Sequence, residues 1–257
     1  MSARLTHAPH VLVTGTSGAI GGALARELAA RRPRARLTLV DKVEAPSAEL
    51  ARELGNARAE VADLSDIDAI PALLERVGPV DGLINAAGFM DVRRFERFEW
   101  EAAWKLLAVD LVAPLRLFHE VSSGMLARGG GFVVNVTSMA GRVPIRGCAM
   151  YGAAKAGLSM ASEIAHAELR PRGVHVVTVY PGPVASALER GARAQLRESA
   201  IARAIPMGKA RELGRLVLDA VESGEPRVVY PSLYRVGFSA VGFASRVALA
   251  FGPEPIG

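Results

Sequence analysis

Short apolar runs rich in β-branched residues recur along this sequence, and most are followed by a stretch of helical length. The runs are residues 10–13, 36–40, 81–84, 132–136, 174–179 and 227–230, with a weaker candidate at 57–61. They are continuously apolar and do not alternate with polar residues, which is typical of strands buried on both faces of a parallel sheet. The pattern therefore predicts a sheet whose two faces are both covered.

Helix-length stretches fill the spaces between these runs. They are residues 19–31, 47–54, 66–77, 100–127, 149–170 and 209–223. Alternating strands and helices predict a doubly wound α/β fold. No internal repeat or linker rich in Pro, Gly and Ser divides the chain, so we expect one domain over residues 1–257, with a core at about 10–230. The remaining segment, 231–257, is expected to be a C-terminal extension.

The composition narrows the class of protein. Hydrophobic residues make up 50% of the 257 residues, enough for a sizeable core, and this excludes a disordered chain. The net charge is +5, but the arginines are scattered and aromatic residues are only 5%, so we expect no nucleic-acid partner. A positive surface is better suited to small anionic ligands.

The cysteine, the termini and the histidines exclude further classes. The single cysteine, Cys148, is incompatible with an intrachain disulfide, and no apolar leader precedes the first run, so we expect a cytoplasmic protein. The five histidines lack metal-ligand spacing, and no metal is expected. The apolar segment 236–251 is interrupted by Arg246 and is shorter than the roughly 20 residues of a membrane-spanning helix.

A glycine-rich turn follows the first run and precedes a helix. Its sequence is Thr-Gly-Thr-Ser-Gly-Ala-Ile-Gly over residues 14–21. Glycines allow a backbone to approach a pyrophosphate, whose charge is met by free N–H groups at the helix N-terminus. Strand, turn and helix in this order predict a dinucleotide site. Its candidate residues are Gly15, Thr16, Ser17, Gly18, Ile20 and Gly21.

The second run ends at Asp41, about 20 residues beyond Gly21. An acidic side chain here accepts hydrogen bonds from ribose hydroxyls and repels a 2′-phosphate. We therefore expect NAD as the cofactor in preference to NADP, although Lys42 is adjacent and can weaken this preference.

Three residues carry the predicted chemistry. Ser138 follows the run at 132–136, and Tyr151 and Lys155 are four residues apart on the next predicted helix, so they share one face. A nearby ammonium favours the phenolate of a tyrosine, which can then act as a proton acceptor or donor. Ser138, at the end of a strand, can hold a substrate oxygen beside Tyr151.

Together these motifs resemble the short-chain dehydrogenase/reductase family, from residue 10 to about 230. The matching motifs are Thr14 to Gly21, Asp63-Leu64, Asn85-Ala86-Ala87-Gly88, Ser138 with Tyr151 to Lys155, and Tyr180-Pro181-Gly182-Pro183-Val184. The resemblance implies a single-domain Rossmann-type fold with seven parallel strands in the order 3-2-1-4-5-6-7 and helices on both faces. It also implies a Ser–Tyr–Lys catalytic group.

The resemblance assigns further cofactor contacts. Asp63 and Leu64 are expected at the adenine, and Asn85, Ala86, Ala87 and Gly88 are expected to stiffen the central strand. Tyr151, Lys155, Pro181, Gly182, Val184 and Ser186 are expected near the nicotinamide half of the cofactor.

Two positions depart from the family pattern. Asp110 replaces an asparagine that is usual on the fourth helix, and Ser186 replaces a common threonine. Asp110 can preserve the proton relay of the family. Its carboxylate can also pair with Lys155, and this pairing would weaken the effect of Lys155 on the pKa of Tyr151. We therefore expect Asp110 to reduce or pH-shift the activity.

The expected function is oxidation of a secondary alcohol, or reduction of a ketone, by an NAD(H)-dependent enzyme. The alternative is a dinucleotide-binding regulatory or signalling protein with little turnover. The substrate class stays open between 3-oxoacyl thioesters, steroids, sugars and simple alcohols, because specificity is expected to lie in the segments 89–95, 139–148 and 183–206. The resemblance also implies a homodimer or homotetramer formed through the fourth and fifth helices.

Two features beyond the motifs have open interpretations. Arg93, Arg94, Arg97, Arg142 and Arg146 border the expected cleft, where they can recognise an acidic substrate or be solvated loop charges. The segment 236–251 is interpreted as a lid or subunit interface in preference to a peripheral membrane contact.

Overall fold

The computed structural model of the protein describes residues 8–197 and 206–256. Residues 198–205 of the predicted specificity segment 183–206 therefore lie outside the described part. Seven strands form one parallel sheet in the order β3-β2-β1-β4-β5-β6-β7. The strands are β1 (His10–Thr14), β2 (Arg36–Asp41), β3 (Ala57–Val61), β4 (Gly82–Asn85), β5 (Gly131–Val136), β6 (Val174–Pro181) and β7 (Arg227–Tyr230). The predicted strand number and order are confirmed.

Helices join the strands and continue beyond the last one. They are α1 (Ala19–Arg31), α2 (Glu44–Leu54), α3 (Ile70–Val77), α4 (Trp100–Leu107), α5 (Ala113–Ala127), α6 (Ala149–Leu169), α7 (Ala187–Ala194), α8 (Ala210–Ser223), α9 (Tyr234–Ser239) and α10 (Val241–Phe251). Helices α9 and α10 belong to the predicted C-terminal extension.

Both faces of the sheet are buried. In β1, Val11 and Val13 face a core shared with Leu24 of α1 and Leu213 of α8. Leu12 faces the opposite core, where it joins Leu117 of α5. Adjacent residues of a strand point to opposite faces, so a strand covered on both sides is expected to be apolar at most of its positions. This explains why the runs in the sequence are continuous.

The predicted helix boundaries differ from the observed ones by three residues or more at three places. Helix α2 begins at Glu44, three residues earlier than predicted. Helix α3 begins at Ile70, four residues later than predicted, with Pro71 in its first turn, where a missing N–H removes no helical hydrogen bond. The predicted helix 100–127 is interrupted at Ala108–Val112 by a π-helical turn. Such turns insert an extra residue into a helix and are frequent at functional sites.

Candidate active site

The carboxyl ends of β1, β4, β5 and β6 open into one cavity of about 960 Å³. Most of the predicted site residues line it. They are Ser17, Gly18, Ile20, Gly21, Ala86, Ala87, Gly88, Asp110, Ser138, Tyr151, Lys155, Pro181, Gly182, Val184 and Ser186. The other predicted site residues are outside its wall, namely Gly15, Thr16, Asp41, Asp63, Leu64 and Asn85.

The turns after β1 and β4 pack directly against each other. Gly15 has a φ of 70°, and a Cβ at this position would lie 2.5 Å from the backbone nitrogen of Ala87. The hydroxyl of Thr14 accepts the N–H groups of Ala86 at 3.1 Å and Ala87 at 3.2 Å. A Cβ at Gly21 would lie 2.2 Å from the carbonyl oxygen of Gly15. This packing requires both glycines and presents the backbone of the turn to the cavity.

The N-terminus of α1 is one wall of the cavity. Its N-cap is Gly18, and no side chain caps the N–H groups of its first turn. Ala19, Ile20 and Gly21 line the cavity at this turn. Thr16, another predicted cofactor residue, is buried, and its hydroxyl lies 2.9 Å from that of Ser47. An uncapped helix start with no Cβ in the way fits the pyrophosphate of a dinucleotide.

Asp41 orders the glycine-rich turn. One of its carboxylate oxygens accepts the backbone N–H of Ser17 at 2.9 Å and the hydroxyl of Ser17 at 2.8 Å. The other oxygen accepts the N–H of Val43 at 3.2 Å. The side chain therefore links the end of β2 to the turn after β1, a structural role that the sequence did not predict.

Asp63 and Leu64 lie after β3, beyond Asp41. Asp63 accepts the N–H and hydroxyl of Ser65 at 2.9 and 2.8 Å, and Lys105 lies 3.8 Å away. The hydrogen bonds from Ser65 and the charge of Lys105 lower the pKa of Asp63 below its ordinary value. Leu64 is buried. Both residues follow the edge strand β3 and do not line the cavity.

A buried amide network connects β4, β5 and α6. Asn85 donates to the side-chain oxygen of Asn135 at 2.8 Å and to the carbonyl of Pro114 at 3.1 Å. Asn135 in turn donates to the hydroxyl of Ser162 at 2.8 Å. The stiffening implied for Asn85 agrees with this geometry. Asn135 was missed by the sequence reasoning, although a polar residue inside an apolar strand run is a signal for such a network.

Ser138, Tyr151 and Lys155 lie together at the cavity. Ser138 follows β5, and its side chain accepts the N–H of Ala140 at 3.1 Å. Tyr151 and Lys155 lie on α6 and are only 8% and 4% exposed. The ammonium of Lys155 lies 5.7 Å from the ring centre of Tyr151 and donates to the carbonyl of Val136 at 3.2 Å.

Asp110 reaches this group from the π-helical turn. One carboxylate oxygen lies 2.8 Å from the ammonium of Lys155, and the other accepts the N–H of Phe89 at 3.1 Å. The side chain of Asp110 is 0% exposed. A Cβ on Gly88 would lie 2.4 Å from the first oxygen, so glycine leaves the room that the carboxylate occupies. The pairing of Asp110 with Lys155, one of the two possibilities that the sequence left open, is present.

The local charges act on Tyr151 in opposite directions. Burial raises the pKa of Tyr151, Lys155 lowers it, Asp110 raises it and the hydrogen bond with Ser138 lowers it, with a net increase above the ordinary value. Burial opposes the charge of Lys155, but the attraction of Asp110 and Tyr151 outweighs it, so the pKa of Lys155 is raised. Burial also raises the pKa of Asp110. Lys155 lowers the pKa of Tyr151, as predicted, but burial and the charge of Asp110 outweigh this effect.

The C-terminal extension forms a further wall that the motifs did not predict. Ala240, Phe243, Ala244, Val247 and Ala248 of this extension line the cavity. The segment 236–251, interpreted from the sequence as a lid or a subunit interface, contributes these residues to the cavity wall.

Two of the arginines considered for substrate recognition contact this extension. Arg142 lies over the ring of Phe238, with its guanidinium carbon 4.3 Å from the ring centre. Arg146 forms a 2.9 Å ion pair with Glu254. Of the remaining arginines, Arg93 pairs with Asp91 at 2.8 Å. These contacts favour structural roles for Arg142 and Arg146.

Within residues 8–197 and 206–256, no group of His, Cys, Asp and Glu side chains could hold a metal ion. No helix among these residues is long and apolar enough to cross a membrane.

The family model for short-chain dehydrogenases matches residues 9–197, which include the glycine-rich turn and Ser138, Tyr151 and Lys155. The chain belongs to the short-chain dehydrogenase family. This confirms the predicted family and an enzyme class of dinucleotide-dependent dehydrogenases and reductases that act on CH–OH groups.

Two relatives and one solved structure illustrate the similarity to other short-chain dehydrogenases. A fatty acyl-CoA reductase of Mycobacterium tuberculosis is 35% identical over 184 residues, which are 66% of this chain and 61% of that protein. An acetoacetyl-CoA reductase of Allochromatium vinosum is 33% identical over 211 residues, 76% of this chain and 82% of that protein. A short-chain dehydrogenase from Sphingobium yanoikuyae in complex with NADPH superposes with a TM-score of 0.80 and 26% identity, covering 94% of this chain and 95% of that one.

Proposed function

We propose that this short-chain dehydrogenase interconverts a secondary alcohol and a ketone with NAD(H), and that Tyr151 is its general acid and base. The observation that carries the proposal is that Ser138, Tyr151 and Lys155 line the same cavity as the uncapped N-terminus of α1. Proton transfer and dinucleotide binding therefore share one space.

The side chains have separate roles. In the reducing direction, Tyr151 donates its phenolic proton to the carbonyl oxygen of the substrate, and Ser138 donates a hydrogen bond to the same oxygen. Lys155 stabilises the phenolate that remains, because its ammonium lies close to the ring. The nicotinamide cofactor, when bound, supplies or accepts the hydride. In the oxidising direction, Tyr151 starts as the phenolate and accepts the proton.

NAD is the proposed cofactor because of the charge at Asp41. This side chain is 8% exposed at the end of β2, where a 2′-phosphate would meet a carboxylate. The NADPH complex of the Sphingobium relative is a reason to test this preference directly. Lys42, which is exposed next to Asp41, is the residue best placed to offset the repulsion.

A homo-oligomer formed through the predicted fourth helix, which is α4 and α5 in the structure, and the predicted fifth helix, which is α6, is also proposed. The exposed apolar residues lie on α4 and α6. Large apolar side chains on these helices are exposed, with Trp104 at 54%, Met160 at 61% and Ile164 at 52%. Exposed apolar residues on neighbouring helices are typical of a subunit contact. Ile164→Glu is expected to reduce the sedimentation coefficient to that of a smaller species, whereas a monomeric parent would contradict the assembly.

The decisive test of function compares the parent with Tyr151→Phe. NADH binding is followed by fluorescence, and turnover is measured on a panel of carbonyl compounds. We expect kcat/KM to fall by roughly a hundredfold to ten-thousandfold in Tyr151→Phe, with NADH affinity retained. Tyr230→Phe, which removes a tyrosine hydroxyl outside the cavity, is the matched control and is expected to retain turnover. NADH binding by parent and Tyr151→Phe with turnover by neither would favour the regulatory alternative.

A further inference from the structure

One face of α10 and its N-cap borders the cavity that contains Tyr151. The face consists of Ala240, Phe243, Ala244, Val247 and Ala248. The spacing of three, four, seven and eight residues from the first position places them on a single stripe of a helix. Every side chain of this stripe is apolar. The charged residue of the helix, Arg246, does not line the cavity.

The two large side chains of the stripe remain uncovered. Phe243 is 74% exposed and Val247 is 38% exposed, although both border the cavity. The same cavity is also lined by apolar side chains of two loops and of α7, namely Met90, Val143, Ile145 and Leu188. Apolar walls that face one another across an open space are the usual lining of a site for an apolar ligand group.

The tail after α10 holds the helix in place over the cleft. The backbone N–H of Arg197 donates to the carbonyl of Glu254 at 2.8 Å, and the N–H of Ile256 donates to the carbonyl of Gln195 at 3.0 Å. The side chain of Gln195 accepts the N–H of Val92 at 2.7 Å. The tail is thereby linked to the segment after α7 and to the loop after β4.

Two arginines of the loop between β5 and α6 hold the extension from the other side. Arg146 pairs with Glu254 and also donates to the carbonyl of Leu249. Arg142 lies over Phe238, whose ring meets that of Tyr180 edge-on with centres 4.9 Å apart. Two segments of the cleft therefore contact the C-terminal extension directly, the loop between β5 and α6 and the segment after α7, and these contacts set the position of α10.

We propose that α10 is a lid that determines substrate specificity, and that the substrate carries a long unbranched apolar chain beneath the stripe. This inference rests on the proposed function. The stripe from Ala240 to Ala248 extends for roughly 12 Å at the rise of an α-helix, which suits an extended chain better than a compact polar substrate. Ala244 and Ala248 leave space for this chain, while Phe243 and Val247 supply apolar contacts.

The test measures kcat/KM for a homologous series of methyl ketones from butanone to dodecanone. For the parent, kcat/KM is expected to rise by about fourfold for each methylene that the lid covers. In Ala244→Phe, a ring fills the space for the chain, and the ratio of the decanone to the butanone value is expected to fall by about tenfold. Ala250→Phe is the matched control. It makes the same change at an exposed position outside the cavity wall, so the ratio should be preserved.

Val247→Thr provides a second variant that keeps the shape of the side chain. Its added hydroxyl loses water when an apolar chain covers it, so the decanone-to-butanone ratio should fall, mainly through a higher KM for decanone.

A parent without chain-length dependence, or equal ratios in Ala244→Phe and Ala250→Phe, would overturn the lid proposal. A changed sedimentation coefficient in Ala244→Phe with an unchanged ratio would also overturn it and assign the stripe to a subunit contact. Failure of the proposed function is distinguishable, because the parent would then reduce none of the ketones, butanone included.

Discussion

The carboxylate of Asp110 lies 2.8 Å from the ammonium of Lys155, and the two side chains are only 0% and 5% exposed. Lys155 therefore has two negative or potentially negative neighbours, Asp110 and the phenol of Tyr151. An ammonium paired with a carboxylate supplies less net positive potential to a nearby phenolate than an unpaired one. The Asp110–Lys155 pair thus opposes the ionisation of Tyr151.

Asp110→Asn is expected to shift the pH–rate profile of alcohol oxidation to lower pH. The carboxylate of Asp110 raises the pKa of Tyr151, so its removal lowers that pKa. Oxidation needs the phenolate, and its rate rises with pH through the pKa of Tyr151. The rising limb should therefore move towards lower pH, as measured by initial rates at saturating cofactor and alcohol.

The control for this measurement is Asp68→Asn, which removes an exposed carboxylate that does not line the cavity. Its profile should superpose on that of the parent. An Asp110→Asn profile that also superposes on the parent would show that the pair with Lys155 does not influence Tyr151.

Gly88→Ala is expected to disrupt the same pair by sterics alone. The added Cβ would lie 2.4 Å from a carboxylate oxygen of Asp110 and 3.3 Å from the ammonium of Lys155. Overpacking of this kind costs about 1–3 kcal/mol, so the free energy of unfolding, measured in urea, should fall by that amount. Gly191→Ala, with no atom within 4 Å of its new Cβ, is the control and should cause no loss.

A double variant separates this clash from other effects of the alanine at position 88. Removal of the carboxylate in Gly88→Ala/Asp110→Ala eliminates the atom that the Cβ meets, so the two losses should be less than additive. Strict additivity would contradict a clash between the two side chains.

The strands were predictable from the sequence because burial on both faces requires continuous apolar runs. Even the weak run at 57–61 corresponds to β3, which lies at an edge of the sheet and is less buried than β1. The close backbone packing of the turn after β1 was also predictable, because the glycines of this turn leave the space that a Cβ would fill. The strands and this turn could therefore be predicted from the residues of each segment alone.

Other features depend on contacts between distant parts of the chain. Arg146 and Glu254 are 108 positions apart, and this pair helps to place α10 over the cavity. No local pattern indicates which loop an apolar C-terminal helix will cover. The π-helical turn that directs Asp110 towards Lys155 was likewise not visible as a change in periodicity. The catalytic roles of Ser138, Tyr151 and Lys155 stay predictions that rest on the family motifs and on their shared cavity.

Asp41→Asn is expected to weaken the preference for NADH over NADPH. Asparagine retains an oxygen that can accept the hydrogen bonds of Ser17, but it lacks the charge that repels a 2′-phosphate. With a charge–charge term on the order of 1 kcal/mol, the ratio of kcat/KM for NADH to that for NADPH should fall by about fivefold to tenfold. A parent enzyme that already prefers NADPH would show that the role assigned to Asp41 is wrong.

His175 is expected to make the protein less stable in acid. Its side chain lies on β6, is 4% exposed, and has its ring centre 5.4 Å from that of His166. Burial and the charge of His166 lower the pKa of His175 from 6.5 to about 4. Between these two pH values the unfolded chain binds a proton at this position that the folded protein does not bind, so stability falls as the pH is lowered.

Urea unfolding at a series of pH values measures this effect. The free energy of unfolding of the parent should decrease as the pH falls from 6.5 towards about 4. In His175→Gln, which has no titratable group at this position, the decrease over the same interval should be smaller. Some decrease should remain, because burial also lowers the pKa of His10 and that of His166. Curves of parent and His175→Gln that run parallel throughout this interval would show that His175 takes up its proton equally in the folded and unfolded states.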